Sequence, residues 1–313
     1  MGTINVTGHA MIGEAPEMKS SGTADPVSQQ QWYPLGMSES LTAYYAETLL
    51  LDLPIRFRRA ASGDPEVRQG EIALPACERF GYLWTTLNTE APDPSLIPRI
   101  DEADEPDRRL VCCGSITVNA SGLRVVENFL DMAHFPFVHT GILGAEPHTE
   151  VERYRVETRE DGNEIWATEC RFFQPQAALS AEGGLMTDYV YRIASPFSTL
   201  LYKTNPIDTD RKDVIALFVQ PMTPGSCRAH PVMFLLDDES DLDALVEFQQ
   251  TIFLQDRSIL ESQRPVAMPL DAGSEIPTLA DRSSVAYRRW LKSRGVTYGA
   301  SMSPMTILST EPA

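Results

Sequence analysis

The chain has 313 residues, of which 42% are hydrophobic and 22% charged, a globular composition that suits one large domain or two smaller ones. Its formal net charge of −18 at pH 7 disfavours nucleic acids and anionic membranes as partners, because both would repel the protein. The sequence has no long apolar run, no secretion signal and five cysteines without regular spacing, so we expect a cytoplasmic protein with reduced thiols.

The two ends of the chain and its first third have distinct patterns. Residues 1–30 are rich in Gly, Ser and Pro without hydrophobic periodicity and predict a flexible leader, and residues 301–313 predict a short tail. Residues 31–108 contain strand-like pieces, such as LPIRFRRA at 53–60 and FGYLWTTL at 80–87, and end in an acidic, proline-containing linker. We therefore expect a small β-rich module in residues 31–108.

Residues 109–300 predict a second domain in which strands precede helices. A strand candidate at 110–122 is followed by a helix that starts near Arg124. Five further strand candidates are rich in β-branched and aromatic residues and span 164–174, 185–195, 198–205, 213–222 and 227–237. Two helices are predicted at 241–263 and 281–293. This order of elements predicts an α+β fold with an antiparallel sheet.

The segment ENFLDMAHFPFVH, which begins at Glu127, places polar side chains inside an apolar stretch and contains two of the five histidines. On a helix, Glu127, Asp131 and His134 would share one stripe at spacings of i, i+4 and i+7. Pro136 disfavours helical geometry at the residue before it, so the helix should end there. His139 then lies on backbone of a different direction, and its ring could turn back toward His134.

The simplest alternative is that both histidines are core residues hydrogen-bonded to Asn128 and Asp131. A carboxylate in a later helix favours a metal site instead. In a helix with Ser240 as its N-cap, Asp256 faces the core, where an unpaired carboxylate is unstable or stays protonated. The inward stripe of that helix comprises Leu245, Gln249, Ile252, Asp256, Ile259 and Gln263. Two histidines and one carboxylate suit non-haem Fe(II), although zinc accepts the same ligands and keeps a hydrolase open.

The same segment matches the pattern N-x-x-D-x-x-H-x-x-x-x-H at Asn128, Asp131, His134 and His139, and so resembles the α subunits of Rieske-type non-haem iron oxygenases. Four other stretches are similar to this family: QWYPLG at 31–36, ERFGYLWTTL at 78–87, FLQDRSILESQ at 253–263 and SVAYRRWL at 284–291. The resemblance extends over nearly all of the chain after residue 30. Within the family, it points to the monooxygenases that remove methyl groups from nitrogen or oxygen, including those that demethylate methylxanthines at N7.

This resemblance implies a helix-grip catalytic domain of the START or Bet v1 type. It implies one mononuclear Fe(II) bound by His134, His139 and Asp256. Asp131 would orient His134 and carry electrons from a cluster in a neighbouring subunit. Asn128 would lie near the iron without a close bond to it, or would simply cap a neighbouring group.

The reaction implied by the resemblance is oxidative N-demethylation. An N-methyl group of a heteroaromatic, methylxanthine-like substrate is hydroxylated with O₂, and the demethylated product and formaldehyde are released. NAD(P)H would be used by a separate reductase, and the oligomer would be built from trimers. Aromatic residues of the strand candidates could line the substrate pocket or simply belong to the core: Phe172, Phe173, Tyr189, Tyr191 and Phe218.

The chain departs from the family pattern where a Rieske domain is expected. Such a domain holds its [2Fe–2S] cluster with two cysteines and two histidines, in a C-x-H and a later C-x-x-H. Between Trp32 and Glu78 this chain has Cys77 and no histidine, and the C-x-x-H of CRAH at 227–230 lies in a predicted strand. We therefore expect no [2Fe–2S] cluster in this chain, and electrons from the Rieske cluster of a reductase or another oxygenase subunit. The alternative is a non-catalytic structural subunit of a mixed complex.

Overall fold

The N-terminal part of the protein consists of short antiparallel strands. The computed structural model describes residues 25–159, 163–181 and 183–302, so most of the predicted leader and tail lies outside the described residues. A short helix, α1 (Pro26–Gln29), is followed by seven strands: β1 (Trp32–Met37), β2 (Ala46–Leu50), β3 (Leu53–Arg59), β4 (Pro65–Gln69), β5 (Ile72–Leu74), β6 (Ala76–Arg79) and β7 (Tyr82–Thr86). These strands form two sheets, with the orders β1-β7-β6 and β2-β3-β4-β5.

A large antiparallel sheet contains most of the remaining strands. Its strands are β8 (Arg109–Cys112), β9 (Ile116–Val118), β10 (Arg155–Arg159), β11 (Glu164–Gln174), β12 (Leu185–Ser195), β13 (Ser198–Thr204), β14 (Lys212–Thr223) and β15 (Ser226–Leu235). The order is β10-β11-β12-β13-β14-β15-β8, with β9 also paired to β15. A short parallel pair, β16 (Met268–Pro269) and β17 (Ala300–Ser301), lies outside this sheet. The five strand predictions from residue 164 to residue 237 and the α+β class are confirmed.

Several α-helices lie in the described part of the chain after the N-terminal strands. They are α2 (Gly122–Phe129), α3 (Phe135–Val138), α4 (Leu242–Ser262) and α5 (Arg282–Arg294). The predictions of helices at 241–263 and 281–293 are confirmed. Among the described helices, none is both long enough and apolar enough to cross a bilayer.

Two details of the predicted α4 helix were wrong. The N-cap is Asp241, whose carboxylate accepts the Ala244 N–H at 3.1 Å, because the Ser240 hydroxyl instead donates to Asp237 at 2.6 Å. Ile259 is 44% exposed, and Leu260 takes the buried position, because a spacing of four residues keeps it on the face of Asp256.

The two faces of the large sheet are covered by different parts of the chain. Alternate side chains point to opposite faces, so Phe218 packs against Trp84 of the N-terminal strands, with ring centroids 4.7 Å apart. On the other face, Leu217 belongs to the core cluster that contains Leu123 of α2 and Phe253 of α4. A cavity remains between this second face and α4.

Candidate active site

The local backbone around the histidines differs from the predicted helix. Helix α2 begins after Ser121, whose hydroxyl accepts the Leu123 N–H at 3.3 Å, and it ends at Phe129. The expectation that Asp131 and His134 continue this helix was wrong. The Asp131 carboxylate accepts the Ala133 N–H at 2.8 Å, and such a local side-chain bond competes with helix continuation.

A short helix separates the two histidines. Pro136 lies in the first turn of α3 (Phe135–Val138), where a missing N–H costs no hydrogen bond. The break in the helix therefore comes before the proline rather than at it. As expected, His139 follows on backbone of a different direction, and its ring centroid lies 5.0 Å from that of His134.

Three donor atoms from distant parts of the chain meet at one point. The Nε2 atoms of His134 and His139 are 3.1 Å apart. Asp256 Oδ1, on α4, lies 3.2 Å from His134 Nε2 and 2.9 Å from His139 Nε2. His139 is fully buried and Asp256 is 9% exposed. In the described residues, this is the one group of three His, Cys, Asp or Glu side chains close enough to hold a metal ion.

The second nitrogen of each ring is held by an oxygen acceptor. His134 Nδ1 lies 3.0 Å from Asp131 Oδ2, and His139 Nδ1 lies 2.7 Å from Gln255 Oε1. Because these oxygens only accept hydrogen bonds, each Nδ1 carries a proton, and the Nε2 of the neutral ring therefore presents a lone pair. Two imidazole lone pairs and the Asp256 carboxylate thus converge, and this arrangement fits a metal cation.

The electrostatics of the site also favour a positive charge. Burial lowers the pKa of His134, but the hydrogen bonds and charges of Asp131 and Asp256 more than offset this effect and raise that pKa to about 9. Burial raises the pKa of Asp256, but His134 and His139 outweigh it, so the pKa lies below its ordinary value.

Asn128 and Gln255 complete the surroundings of the donor atoms. Asn128 Nδ2 donates to Asp256 Oδ1 at 3.4 Å, so the amide contacts the carboxylate and also lines the cavity. Sequence reasoning missed Gln255, which precedes Asp256 on the same helix. Only the position of α4 beside His139 reveals its role, because a glutamine in a helix carries no local signal of its partner.

The cavity extends from the donor atoms between α4 and the large sheet. Its volume of about 100 Å³ far exceeds the roughly 10–15 Å³ that one water needs, so it can hold a small molecule. Apolar side chains dominate the lining, including Phe129, Leu201 and Ile252. Tyr189 and Tyr191 also line it, in agreement with one of the two interpretations of the strand aromatics.

The other three aromatic residues suggested for the pocket lie elsewhere. Phe172 packs edge-on against Phe135, with ring centroids 5.5 Å apart, and Phe173 packs against His148 at 4.5 Å. Phe218 lies on the opposite face of the sheet. For these three residues the pocket interpretation was wrong, because the sequence shows neither which face of each strand meets the cavity nor how far along a strand the cavity extends.

Cys227 and His230 of the C-x-x-H do not form a metal site. They are three residues apart on β15 and therefore point to opposite faces. His230 Nε2 donates to Gln220 Oε1 at 3.3 Å, and its Nδ1 lies 2.9 Å from the Ser115 hydroxyl. His230 is a buried histidine whose two ring nitrogens are both hydrogen-bonded.

Comparison with known families agrees with this site. Residues 118–296 match the family described as the vanillate O-demethylase oxygenase C-terminal domain. The chain is also 47% identical over 272 residues to a probable methylxanthine N7-demethylase of Pseudomonas sp. (strain TJI-51), covering 86% of this chain and 95% of that relative. The chain belongs to the Rieske-type oxygenase family. The resemblance found in the sequence motif is thereby confirmed.

Solved structures of Rieske-type oxygenases share the fold of this oxygenase. Dicamba monooxygenase bound to 3,6-dichlorosalicylic acid gives a TM-score of 0.68 at 16% identity, over 87% of this chain and 98% of the other. The methylxanthine N1-demethylase of Pseudomonas putida with caffeine gives 0.67 at 17% identity, over 84% and 90%. At these identities the similarity establishes the fold, and the helix-grip architecture is confirmed.

Proposed function

We propose that this chain is the oxygenase component of an oxidative N-demethylase that acts on methylxanthine-like heterocycles. The supporting observation is the cluster of His134, His139 and Asp256 at an apolar cavity, in a chain 47% identical to a probable methylxanthine N7-demethylase. The balanced reaction consumes the N-methyl heterocycle, O₂, two electrons and two protons. It yields the demethylated heterocycle, formaldehyde and water, because an N-hydroxymethyl group releases formaldehyde spontaneously.

His134, His139 and Asp256 are the proposed ligands of one mononuclear Fe²⁺. When bound there, Fe²⁺ would supply the activation of O₂, since two histidines and one carboxylate leave coordination positions open. Asp131 and Gln255 hold the histidine tautomers that present Nε2 to the metal, and Asn128 restrains the carboxylate of Asp256. The apolar lining of the cavity excludes water and orients a flat substrate.

The electrons must come from another polypeptide. The sequence contains no G-x-G-x-x-G nucleotide loop, and the four-ligand spacing of a Rieske cluster is missing between Trp32 and Glu78. Asp131 is 26% exposed beside His134, so a partner can approach the centre from this side. The proposed partner is a reductase or oxygenase subunit that carries a Rieske cluster, within a trimer-based oligomer in the cytoplasm.

The test combines metal analysis with turnover. After anaerobic loading with Fe²⁺, we expect one iron and no acid-labile sulfide per chain. With NADH, a cluster-bearing reductase and 7-methylxanthine, we expect formaldehyde release. Two irons and two sulfides per chain would contradict the proposed cofactor. Stoichiometric zinc in protein from its native host would favour a hydrolase, and iron binding without turnover on any methylated heterocycle would favour a structural subunit.

A further inference from the structure

The floor of the cavity contains a row of polar side chains. In the sheet register, Tyr189 of β12 lies opposite Lys203 of β13, and Lys203 lies opposite Asp213 of β14. All three side chains are buried and line the cavity. In the neighbouring row, Tyr191 pairs with Leu201, and Leu201 pairs with Ile215. Among the residues of β13 and β14 that line the cavity, the polar groups are thus confined to one row.

The ammonium group of Lys203 has an unused donor. It donates to the Ala177 carbonyl and, at 3.5 Å, to Gln174 Oε1. A protonated lysine has three N–H donors, and in the described residues no carboxylate lies within 4.0 Å of this one. Asp213 is held instead by Asn205 at 2.9 Å and by the Leu236 N–H at 3.0 Å. Burial lowers the pKa of Lys203 to about 8, with the Asp213 charge opposing, so the amine is mainly protonated at pH 7.

The hydroxyl of Tyr189 is a second donor without an acceptor. It is buried and, like the hydroxyl of Tyr191 in the neighbouring row, has no hydrogen-bond partner in the described part of the protein. Burial raises the pKa of Tyr189 well above its ordinary range, so the hydroxyl remains protonated. Opposite residues on paired strands have Cβ atoms roughly 4.5–5.5 Å apart, so the Tyr189 and Lys203 side chains are direct neighbours along the cavity floor.

We infer that Tyr189 and Lys203 form a two-donor subsite that binds a ring carbonyl oxygen of the substrate. A buried donor left without an acceptor is unstable, so this subsite rejects a ligand of the same shape that lacks the carbonyl. Asp213 keeps the buried lysine protonated and is a positioning residue. The inference rests on the proposed function for the identity of the substrate, and it assigns the selection of carbonyl-bearing heterocycles to two particular side chains.

The test compares two ligands by calorimetry with anaerobic, iron-loaded protein. 7-Methylxanthine has ring carbonyls, whereas 1-methylbenzimidazole has a similar fused ring and N-methyl group but no carbonyl. Tyr189→Phe should weaken binding of 7-methylxanthine about 5- to 10-fold and change binding of 1-methylbenzimidazole less than about 2-fold, without lowering Tm. The double variant Lys203→Met/Asp213→Asn, which removes both charges together, should weaken 7-methylxanthine binding by roughly 30-fold.

Tyr287→Phe is the matched control. The Tyr287 hydroxyl is equally buried but donates to the Pro196 carbonyl at 2.6 Å, outside the cavity. This variant should lower Tm and leave both affinities unchanged. If Tyr189→Phe binds both ligands as tightly as the wild type, or weakens both equally, the subsite is wrong.

A parallel formaldehyde assay separates this inference from the proposed function. Turnover of 7-methylxanthine with unchanged affinities in Tyr189→Phe would overturn the subsite alone. Selective binding of 7-methylxanthine that depends on Tyr189 and Lys203, without any formaldehyde, would support the subsite and overturn the demethylase. Failure of the wild type to bind 7-methylxanthine would overturn both.

Discussion

His134 and His230 both lie in buried surroundings, but His134 contacts carboxylates whereas the hydrogen-bond partners of His230 are uncharged. Asp131 and Asp256 flank His134, and these carboxylates overcome the effect of burial and raise its pKa to about 9. His230 instead meets the Ser115 hydroxyl and the Gln220 amide, and burial lowers its pKa to about 3. The comparison shows that both residues are histidines, yet the charges around each buried ring decide whether that ring gains a positive charge or stays neutral.

The strongest test of this contrast is metal content. Asp256→Ala removes one of three convergent donors and the negative charge nearest to both Nε2 atoms, so we expect complete loss of bound iron. His230→Gln should retain one iron per chain, because His230 lies outside the cluster. Iron in each purified variant can be measured by plasma emission spectrometry. Full iron in Asp256→Ala would refute the proposed ligand set.

Turnover assays should distinguish the proposed metal ligands from Asp131, which orients His134. Asp131→Asn keeps an oxygen acceptor for His134 Nδ1 but removes a charge, so most of the iron should remain while the rate falls about 10-fold or more. Stopped-flow and steady-state assays with the cluster-bearing partner measure the effect. Asp131→Asn at the wild-type rate would show that neither orientation nor electron transfer depends on this carboxylate.

Acid stability should depend on His230. The folded protein holds this ring neutral down to pH about 3, whereas an unfolded chain protonates it near its ordinary value of 6.5. The unfolded state therefore binds more protons between these values, so the free energy of unfolding falls as the pH drops below 6.5. The contribution is on the order of 2 kcal/mol by pH 5.

Urea titrations from pH 7 to pH 5 test this prediction. His230→Gln should be less stable at pH 7, because it loses the paired ring, but should lose less additional stability on acidification. Equal losses in both proteins would assign the acid sensitivity to other groups.

The smallest predicted effect is that of salt on turnover, which acts through the partly exposed side of the proposed metal centre. Asp131 is partly exposed whereas His230 is fully buried, so a charged partner can influence only the first site directly. With a net charge of −18, the chain should attract a basic docking face, and turnover should fall a few-fold as salt shortens the Debye length to about 8 Å and below. A small neutral reductant in place of the partner should give a rate insensitive to salt.

Local sequence patterns predicted most of the secondary-structure elements of the second domain and part of the candidate site. Runs rich in β-branched and aromatic residues predicted the strands between residues 164 and 237, and helical periodicity predicted α4 and the inward direction of Asp256. The spacing of His134 and His139 around Pro136 correctly indicated that the two rings converge. The helical path through Asp131 was wrong, because a side-chain bond to the backbone competes with the helix and periodicity does not register it.

The sequence alone therefore determined the polar motif, its resemblance to the Rieske-type oxygenases and the antiparallel α+β class, because these depend on residue spacing along short stretches. Tertiary structure decided which distant groups meet. Gln255 reaches a histidine 116 residues earlier in the chain, and Tyr189 lies beside Lys203 only through the strand register. A shift of one residue in that register would turn these side chains to the other face of the sheet, and local sequence does not specify the partner strand.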